Sequence, residues 1–202
     1  MINKKILSIW LNDNPEIPEV IKKCLATHSV EGYEHHLITL DNCPMTSRYV
    51  REAISAKKWV KAADLLRMQW LFENGGIYLD ADIEILPGKN FDEMLNDRLF
   101  MGTEKNKYYA NAVVGAEPGH PLLKEYIRRI EENFRGDGDL VFEPGIRAFT
   151  DLVFIHKDNP ANGIKIYEYD YFYPTDNSEI TENTMLKNYA LNSWVTKKYY
   201  EL

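Results

Sequence analysis

The sequence predicts an α/β fold with a mainly parallel sheet and a mixed edge. Two observations carry that prediction: strand-like and helix-like segments alternate along the chain, and its opening reads β-α-β. The hydrophobic share, 45% of 202 residues, supports one well-buried core and not two, so residues 1–202 are read as a single domain.

Lys5 to Trp10 alternates as a strand, Glu16 to His28 has the apolar spacing of an amphipathic helix, and Glu34 to Leu40 reads as a second strand. Ser47 to Lys57 is a helix candidate. Lys61 to Glu73 is a stronger one, rich in Ala, Leu and Met and stopped by Asn74-Gly75-Gly76. A short strand, Ile77 to Leu79, follows directly, and after Asp80-Ala81-Asp82 come another short apolar run, Ile83 to Leu86, and a Pro87-Gly88 turn. Arg98 to Thr103 and Asn111 to Ala116 read as strands. His120-Pro121 opens a helix to about Phe134, with Pro in the first turn. Gly145 to His156 is a further helix, and Ile164 to Tyr173 is strand-like. The Pro/Asn/Asp-rich stretches at 12–18, 158–163 and 174–183 read as loops, not linkers, and no internal repeat is visible.

Charge and motif content exclude several function classes. With 24 Lys+Arg against 31 Asp+Glu, the net charge of -7 lacks the basic surplus that nucleic acids and anionic membrane surfaces attract. No apolar run reaches transmembrane length, and Met1 to Lys5 leads into a strand and not a signal peptide, so a soluble protein is expected. Cys24 and Cys43 are too few and too far apart for a disulfide framework or a CxxC site, and are read as free, buried thiols in a reducing compartment. His35 and His36 are adjacent in a strand, point to opposite faces and cannot chelate together, which argues against zinc chemistry. There is no GxGxxG after the first strand, no GxxxxGK[ST] and no GxSxG, so dinucleotide, P-loop and α/β-hydrolase readings lose their support.

The informative stretch is NGGIYLDAD, residues 74–82. Two carboxylates at i and i+2, at the carboxyl end of an apolar strand, project hard oxygen ligands into the crevice where open α/β sheets bind ligands. By itself the tripeptide is weak, since 13 Asp in this chain give about one Asp-x-Asp by chance, and a second copy stands at Asp137-Gly138-Asp139 in a Gly-rich turn. The context separates them. Ending a buried strand in two acids costs desolvation that a divalent cation offsets. Asp64 and Arg67 lie three apart on one face of the preceding helix, a spacing that also fits a simple ion pair.

The run KAADLLRMQWLFENGGIYLDADIEILPG, residues 61–88, resembles the core of the glycosyltransferases with a DXD sugar-binding region. These include bacterial capsular and lipooligosaccharide transferases and yeast initiating mannosyltransferases, with a core similar to the large clostridial glucosylating toxins. The Asp-x-x-Arg helix, the Gly-Gly and the Ile-Tyr-Leu-Asp-x-Asp are all in place at their spacing. KKILSIWLNDN resembles the family's opening strand, without the glycine that commonly follows its Trp. NAVVGAEPGHPLL, FEPGIRAFTDLV and YDYFYP resemble later segments, the second with its Gly and Pro in a different order. YALNSWV resembles the closing segment, with Asn192 where many bacterial members have His.

The resemblance implies a GT-A type nucleotide-diphospho-sugar transferase fold with the following roles. Asp82 would ligate Mn²⁺ or Mg²⁺, and Asp80 would contact the ribose and the metal. Asp64 and Arg67 would hold the nucleotide sugar, and Tyr78 would face the same pocket. Trp10 would lie by the base. Asn192 or Ser193 would complete the metal ligands, and Trp194 would donate its indole N–H to the leaving diphosphate. By residue type alone, Trp10 and Trp194 also fit core aromatics, Asn192 a turn residue, and Glu143, Arg147 and Thr150 either an acceptor side or ordinary helix-start and surface positions. His120 reads as a helix-entry residue and not a catalytic base.

The implied activity is transfer of a sugar from a nucleotide-diphosphate donor, a UDP-sugar in preference to a GDP-sugar, to a hydroxyl acceptor such as a growing bacterial polysaccharide or lipooligosaccharide. Configuration is expected to be retained. The expected setting is the cytoplasm, at the inner face of a membrane, with peripheral association. Hydrolysis of the nucleotide sugar and a silent sugar-nucleotide-binding module remain open alternatives.

Overall fold

The computed structural model describes residues 1–14, 16–105, 108–134 and 145–191. Its strands are β1 (Lys5–Ile9), β2 (Glu34–Ile38), β3 (Gly76–Leu79), β4 (Ile83–Ile85), β5 (Leu99–Thr103), β6 (Tyr109–Ala116), β7 (Ile164–Tyr167) and β8 (Leu186–Asn188). Its helices are α1 (Glu19–Thr27), α2 (Arg48–Ser55), α3 (Trp59–Asn74), α4 (Pro121–Asn133), α5 (Ile146–His156) and the single turn α6 (Tyr169–Phe172).

Six strands form the main sheet in the order β2-β1-β3-β6-β5-β7, and β4 pairs with β8 in a separate ribbon. β1 is parallel to β2 and β3, and β5 to β7, whereas β6 runs antiparallel to both β3 and β5. The antiparallel strand therefore lies inside the sheet, not at its edge. Alternate side chains divide between two apolar layers. Leu7, Tyr78, Met101 and Val114 face α2 to α5, while Ile6, Ile77, Leu79, Phe100 and Val113 face the layer closed by Phe91, Phe172 and Leu186. Each fully buried aliphatic or aromatic side chain contributes about 1.5–3 kcal/mol to that packing.

Local chemistry explains where the elements depart from expectation. The first helix begins at Glu19, not Glu16, because Pro18 takes the N-cap at φ -54°, ψ 146° and a residue before proline is driven from helical geometry. Ser47 caps α2 by accepting from the Val50 N–H at 3.2 Å. α3 starts two residues before the expected Lys61 and ends at Gly75, φ 62°. A Cβ at Gly75 would stand 2.6 Å from Pro118 Cδ, and one at Gly76 2.7 Å from the Lys5 carbonyl, so the Gly-Gly pair admits a left-handed turn and close backbone approach at once. The expected strand 164–173 divides into β7 and α6. The helical turn lays Phe172 and Tyr173 over Gly102, where a Cβ would meet their rings at 2.8 and 2.7 Å, and this packing overrides the strand preference of the aromatics.

His35 and His36 point apart as expected, the first toward Ser8 and His28, the second toward Trp70. Cys24 is buried and Cys43 half-buried, and both are free. Among the described residues, no helix is long and apolar enough to cross a membrane.

Candidate active site at the carboxyl end of the third strand

β3 is short and wholly buried, and the chain leaves it through a hydrogen-bonded turn. Asp80 N–H donates to the Ala112 carbonyl at 2.9 Å, continuing the β3/β6 ladder, and Ile83 N–H returns to the Asp80 carbonyl at 3.1 Å. Both carboxylates thus sit on one turn at the carboxyl end of β3, half-buried.

Asp80 and Asp82 are held by different parts of the molecule. Oδ1 of Asp80 accepts from Arg67 Nη1 at 3.0 Å and from the Tyr78 hydroxyl at 2.6 Å. Oδ2 of Asp82 accepts from the Leu191 N–H at 3.0 Å, and the Asp82 carbonyl accepts from the Tyr189 N–H at 3.1 Å. Among the described residues, Oδ2 of Asp80 accepts no hydrogen bond and Oδ1 of Asp82 meets no donor from another residue. Each carboxylate therefore has one oxygen without a donor from another described residue. Burial, and then the charge of Asp80, push Asp82 up to about 6, against the pull of the Leu191 N–H.

Arg67 is the centre of the arrangement. Its guanidinium reaches Asp64 Oδ1 at 3.1 Å, the Asn111 carbonyl at 2.9 Å and the Ala63 carbonyl at 3.3 Å besides Asp80, and it lies 4.4 Å from the Tyr78 ring centroid. Burial opposes the Arg67 charge, but Tyr78, Asp80 and Asp64 together outweigh it and raise its pKa. Asp64, 6% exposed, also accepts from Asn111 Nδ2 at 3.0 Å. Burial raises the Asp64 pKa, with Arg67 the main opposing influence. The i, i+3 spacing is thus an ion pair, but a buried one tied into the DXD turn and not a surface pair worth a few tenths of a kcal/mol.

Trp10, just beyond β1, packs with Ala81, Ile21 and Leu191 beside the turn, and its indole Nε1 is buried without a partner among the described residues. Asn192, Ser193, Trp194 and Glu143 lie outside the described residues. Thr150 is buried, and its hydroxyl bonds both the N–H and the carbonyl of Tyr109 at 3.0 and 3.3 Å. Arg147 is exposed on α5. His120 caps α4 through Nδ1, 3.2 Å from the Leu122 N–H, as its position before Pro121 predicts.

Asn111 and Glu104 were not legible as site residues. Asn111 is a polar residue within the apolar strand YANAVVGA, a signal that marks a buried role without naming its partner. Glu104 is half-buried, and burial followed by the charge of Asp80 raises its pKa.

Residues 1–132, which contain this whole constellation except Tyr189 and Leu191, match the family described as capsular polysaccharide synthesis protein. The chain belongs to that family. It is similar to an uncharacterized glycosyltransferase of Acanthamoeba polyphaga mimivirus, 25% identical over 189 residues that span 86% of this chain and 74% of the relative. An initiation-specific alpha-1,6-mannosyltransferase of Schizosaccharomyces pombe is 36% identical over 93 residues, which span 36% of this chain and 23% of the relative. A human alpha-1,4-N-acetylglucosaminyltransferase is 29% identical over 98 residues, 47% of this chain and 27% of the relative. The chain therefore covers only about a quarter of the last two.

Solved glycosyltransferases share the fold. One is PaToxG, with a TM-score of 0.58 at 17% identity over 79% of this chain and 70% of that one. Another takes part in glycosylating the major capsid of PBCV-1, with a TM-score of 0.52 at 12% identity over 92% of both chains. The expected GT-A type α/β fold is the observed one, and by family and relatives the chain is a glycosyltransferase.

Proposed function

We propose that this glycosyltransferase is metal-dependent and moves a sugar from a nucleotide-diphosphate donor, a UDP-sugar, to a hydroxyl of a growing glycan in polysaccharide or lipooligosaccharide synthesis. One observation carries the reading: Asp80 and Asp82 share one turn, each with an oxygen left open, while Arg67 ties Asp80 to buried Asp64. The donor set fits a hard cation, and a cation there would offset the burial and the Asp80 charge that together raise the Asp82 pKa. Among the described residues no group of three or more His, Cys, Asp or Glu could hold a metal ion; the family resemblance assigns the remaining protein ligand to Asn192 or Ser193, with the donor diphosphate and water completing the set.

A divalent cation bound there supplies charge for the diphosphate leaving group as the sugar–phosphate bond breaks. Asp82 binds it, and Asp80, aimed by Arg67 and Tyr78, holds the ribose side. Arg67 and Asp64 fix the sugar, and Trp10 lies by the base. Trp194 donates to the departing diphosphate. The acceptor oxygen attacks the anomeric carbon on the face the phosphate leaves, the departing phosphate takes the acceptor proton, and configuration is retained. The enzyme works in the cytoplasm at the inner face of a membrane.

Calorimetric titration of UDP and GDP, with and without Mn²⁺, on wild type and Asp82→Ala tests this reading. Mn²⁺-dependent UDP binding that disappears in Asp82→Ala is the expected result, and nucleotide binding indifferent to both Mn²⁺ and Asp82 refutes it. Adding a glycan acceptor to donor and Mn²⁺ then separates a transferase from a nucleotide-sugar hydrolase, which releases sugar to water alone, and from a silent module, which binds without turnover.

A further inference from the structure

Buried Ser8 and His28 and half-buried His35 share one consistent arrangement of their protons beneath the DXD turn. His28, at the end of α1, is 0% exposed, with Nε2 2.7 Å from the Ile83 carbonyl oxygen and Nδ1 2.7 Å from Ser8 Oγ on β1. Ser8, also 0% exposed, lies 3.2 Å from Nε2 of His35 on β2, whose ring stands edge-on to that of His28. A carbonyl oxygen only accepts, so Nε2 of His28 carries a hydrogen. Burial keeps this imidazole neutral, which leaves Nδ1 as an acceptor and commits the Ser8 hydrogen to it. The His35 contact must then be made by a hydrogen on His35 Nε2. The chain runs one way, from His35 through Ser8 and His28 to Ile83, and each bond polarises the next.

Its terminus is the far end of the turn that carries both carboxylates. Ile83 returns its N–H to Asp80 and gives its carbonyl to His28. Two residues on, the Ile85 N–H donates to Thr27 Oγ1 at 2.9 Å. Among the described residues no strand pairs with this edge of β4, and Thr27, the last residue of α1, and its C-cap His28 stand in for one, with β8 on the other edge. The near end of the turn is fixed to β6 through Asp80.

We propose that His28, held in one tautomer by the Ile83 carbonyl and braced at Nδ1 by Ser8 and His35, is a positioning residue of the donor site, fixing the far end of the Asp80–Ile83 turn and with it the placing of Asp82 against Asp80. This rests on the metal-dependent donor reading above. Two measurements test it. In ¹⁵N NMR of histidine-labelled wild-type protein at neutral pH, His28 is expected to show a protonated Nε2 and a bare Nδ1, with His35 protonated on Nε2. A proton on His28 Nδ1 overturns the arrangement.

In calorimetry with UDP and Mn²⁺ well below the unfolding temperature, His28→Leu is expected to weaken Mn²⁺-dependent binding tenfold or more. Metal-independent UDP affinity should stay unchanged. His28→Gln, whose amide N–H can still reach the Ile83 carbonyl, should recover most of the loss. Ser8→Ala, which keeps the bond from His28 to the Ile83 carbonyl but removes the hydroxyl that braces Nδ1, should weaken binding severalfold and serves where His28→Leu does not fold. Folded His28→Leu or Ser8→Ala with wild-type Mn²⁺-dependent affinity, or Gln no better than Leu, refutes the role of His28 alone. Wild type indifferent to Mn²⁺ refutes the donor-site reading and this role with it.

Discussion

Replacing Arg67 by Met removes the one cation that Asp64 and Asp80 share while keeping most of the volume beneath it. Asp64, 6% exposed, then holds its charge with only the Asn111 amide as a hydrogen-bond donor, and Asp80 keeps only the Tyr78 hydroxyl at Oδ1. Two ionic contacts near 3 Å, at 3.1 and 3.0 Å, and two backbone hydrogen bonds disappear together. Breaking a buried pair by removing one partner costs about 3–5 kcal/mol, because the charge left behind is uncompensated. The cost should sit mainly on Asp64, since Asp80 is partly exposed and can be solvated. Asp64→Asn in the Arg67→Met background should therefore recover about 2 kcal/mol or more. Urea unfolding of the wild type, both single variants and the double variant at pH 7 gives the coupling directly. A cost below about 1 kcal/mol for Arg67→Met, or no coupling with Asp64→Asn, would falsify the reasoning.

Further outcomes follow from the same contacts. His28 is pushed down to about 4 by burial from 6.5, so below about pH 6.5 the unfolded chain binds a proton that the folded one refuses. Stability should be full above that pH and fall by about 3 kcal/mol as pH drops toward 4, a slope that thermal unfolding across pH should show reduced in His28→Leu. Gly76→Ala sets a Cβ 2.7 Å from the Lys5 carbonyl at φ 125° and should cost more than about 2 kcal/mol in urea unfolding; a loss within about 0.5 kcal/mol contradicts the close approach. Tyr78→Phe removes the 2.6 Å bond to Asp80, and a stability loss of about 1–2 kcal/mol with Arg67 still in place is expected from the same assay.

What the sequence made legible follows from how local each signal is. The Asp64–Arg67 pair, the Gly-Gly stop and the two aspartates are short-range patterns on a helix, a turn and a strand end, and the structure keeps their spacing. Asn111 joins the site only because β6 lies beside β3, an adjacency that no residue type announces. The ribbon of β4 and β8 was missed for the same reason: three residues at 186–188 carry little periodicity, and their partner is a hundred residues upstream. Tyr169 to Tyr173 failed differently, since its aromatics have strand character locally but fill space above Gly102. Ser8 and His28 were indistinguishable from ordinary strand and helix-end polar residues until β4 was placed above them.

The contact between Leu191 N–H and Asp82 joins residues 109 apart in the chain. Such a contact closes a very long loop, whose entropy must be met before the hydrogen bond rewards it, whereas Asp64, Arg67 and Asp80 lie within 17 consecutive residues. During refolding the arginine side of the site is therefore expected to mature with the early helix and strand, and the side around Asp82 to be completed last. The order of assembly separates the two halves of the motif in time, although only one residue separates them in sequence.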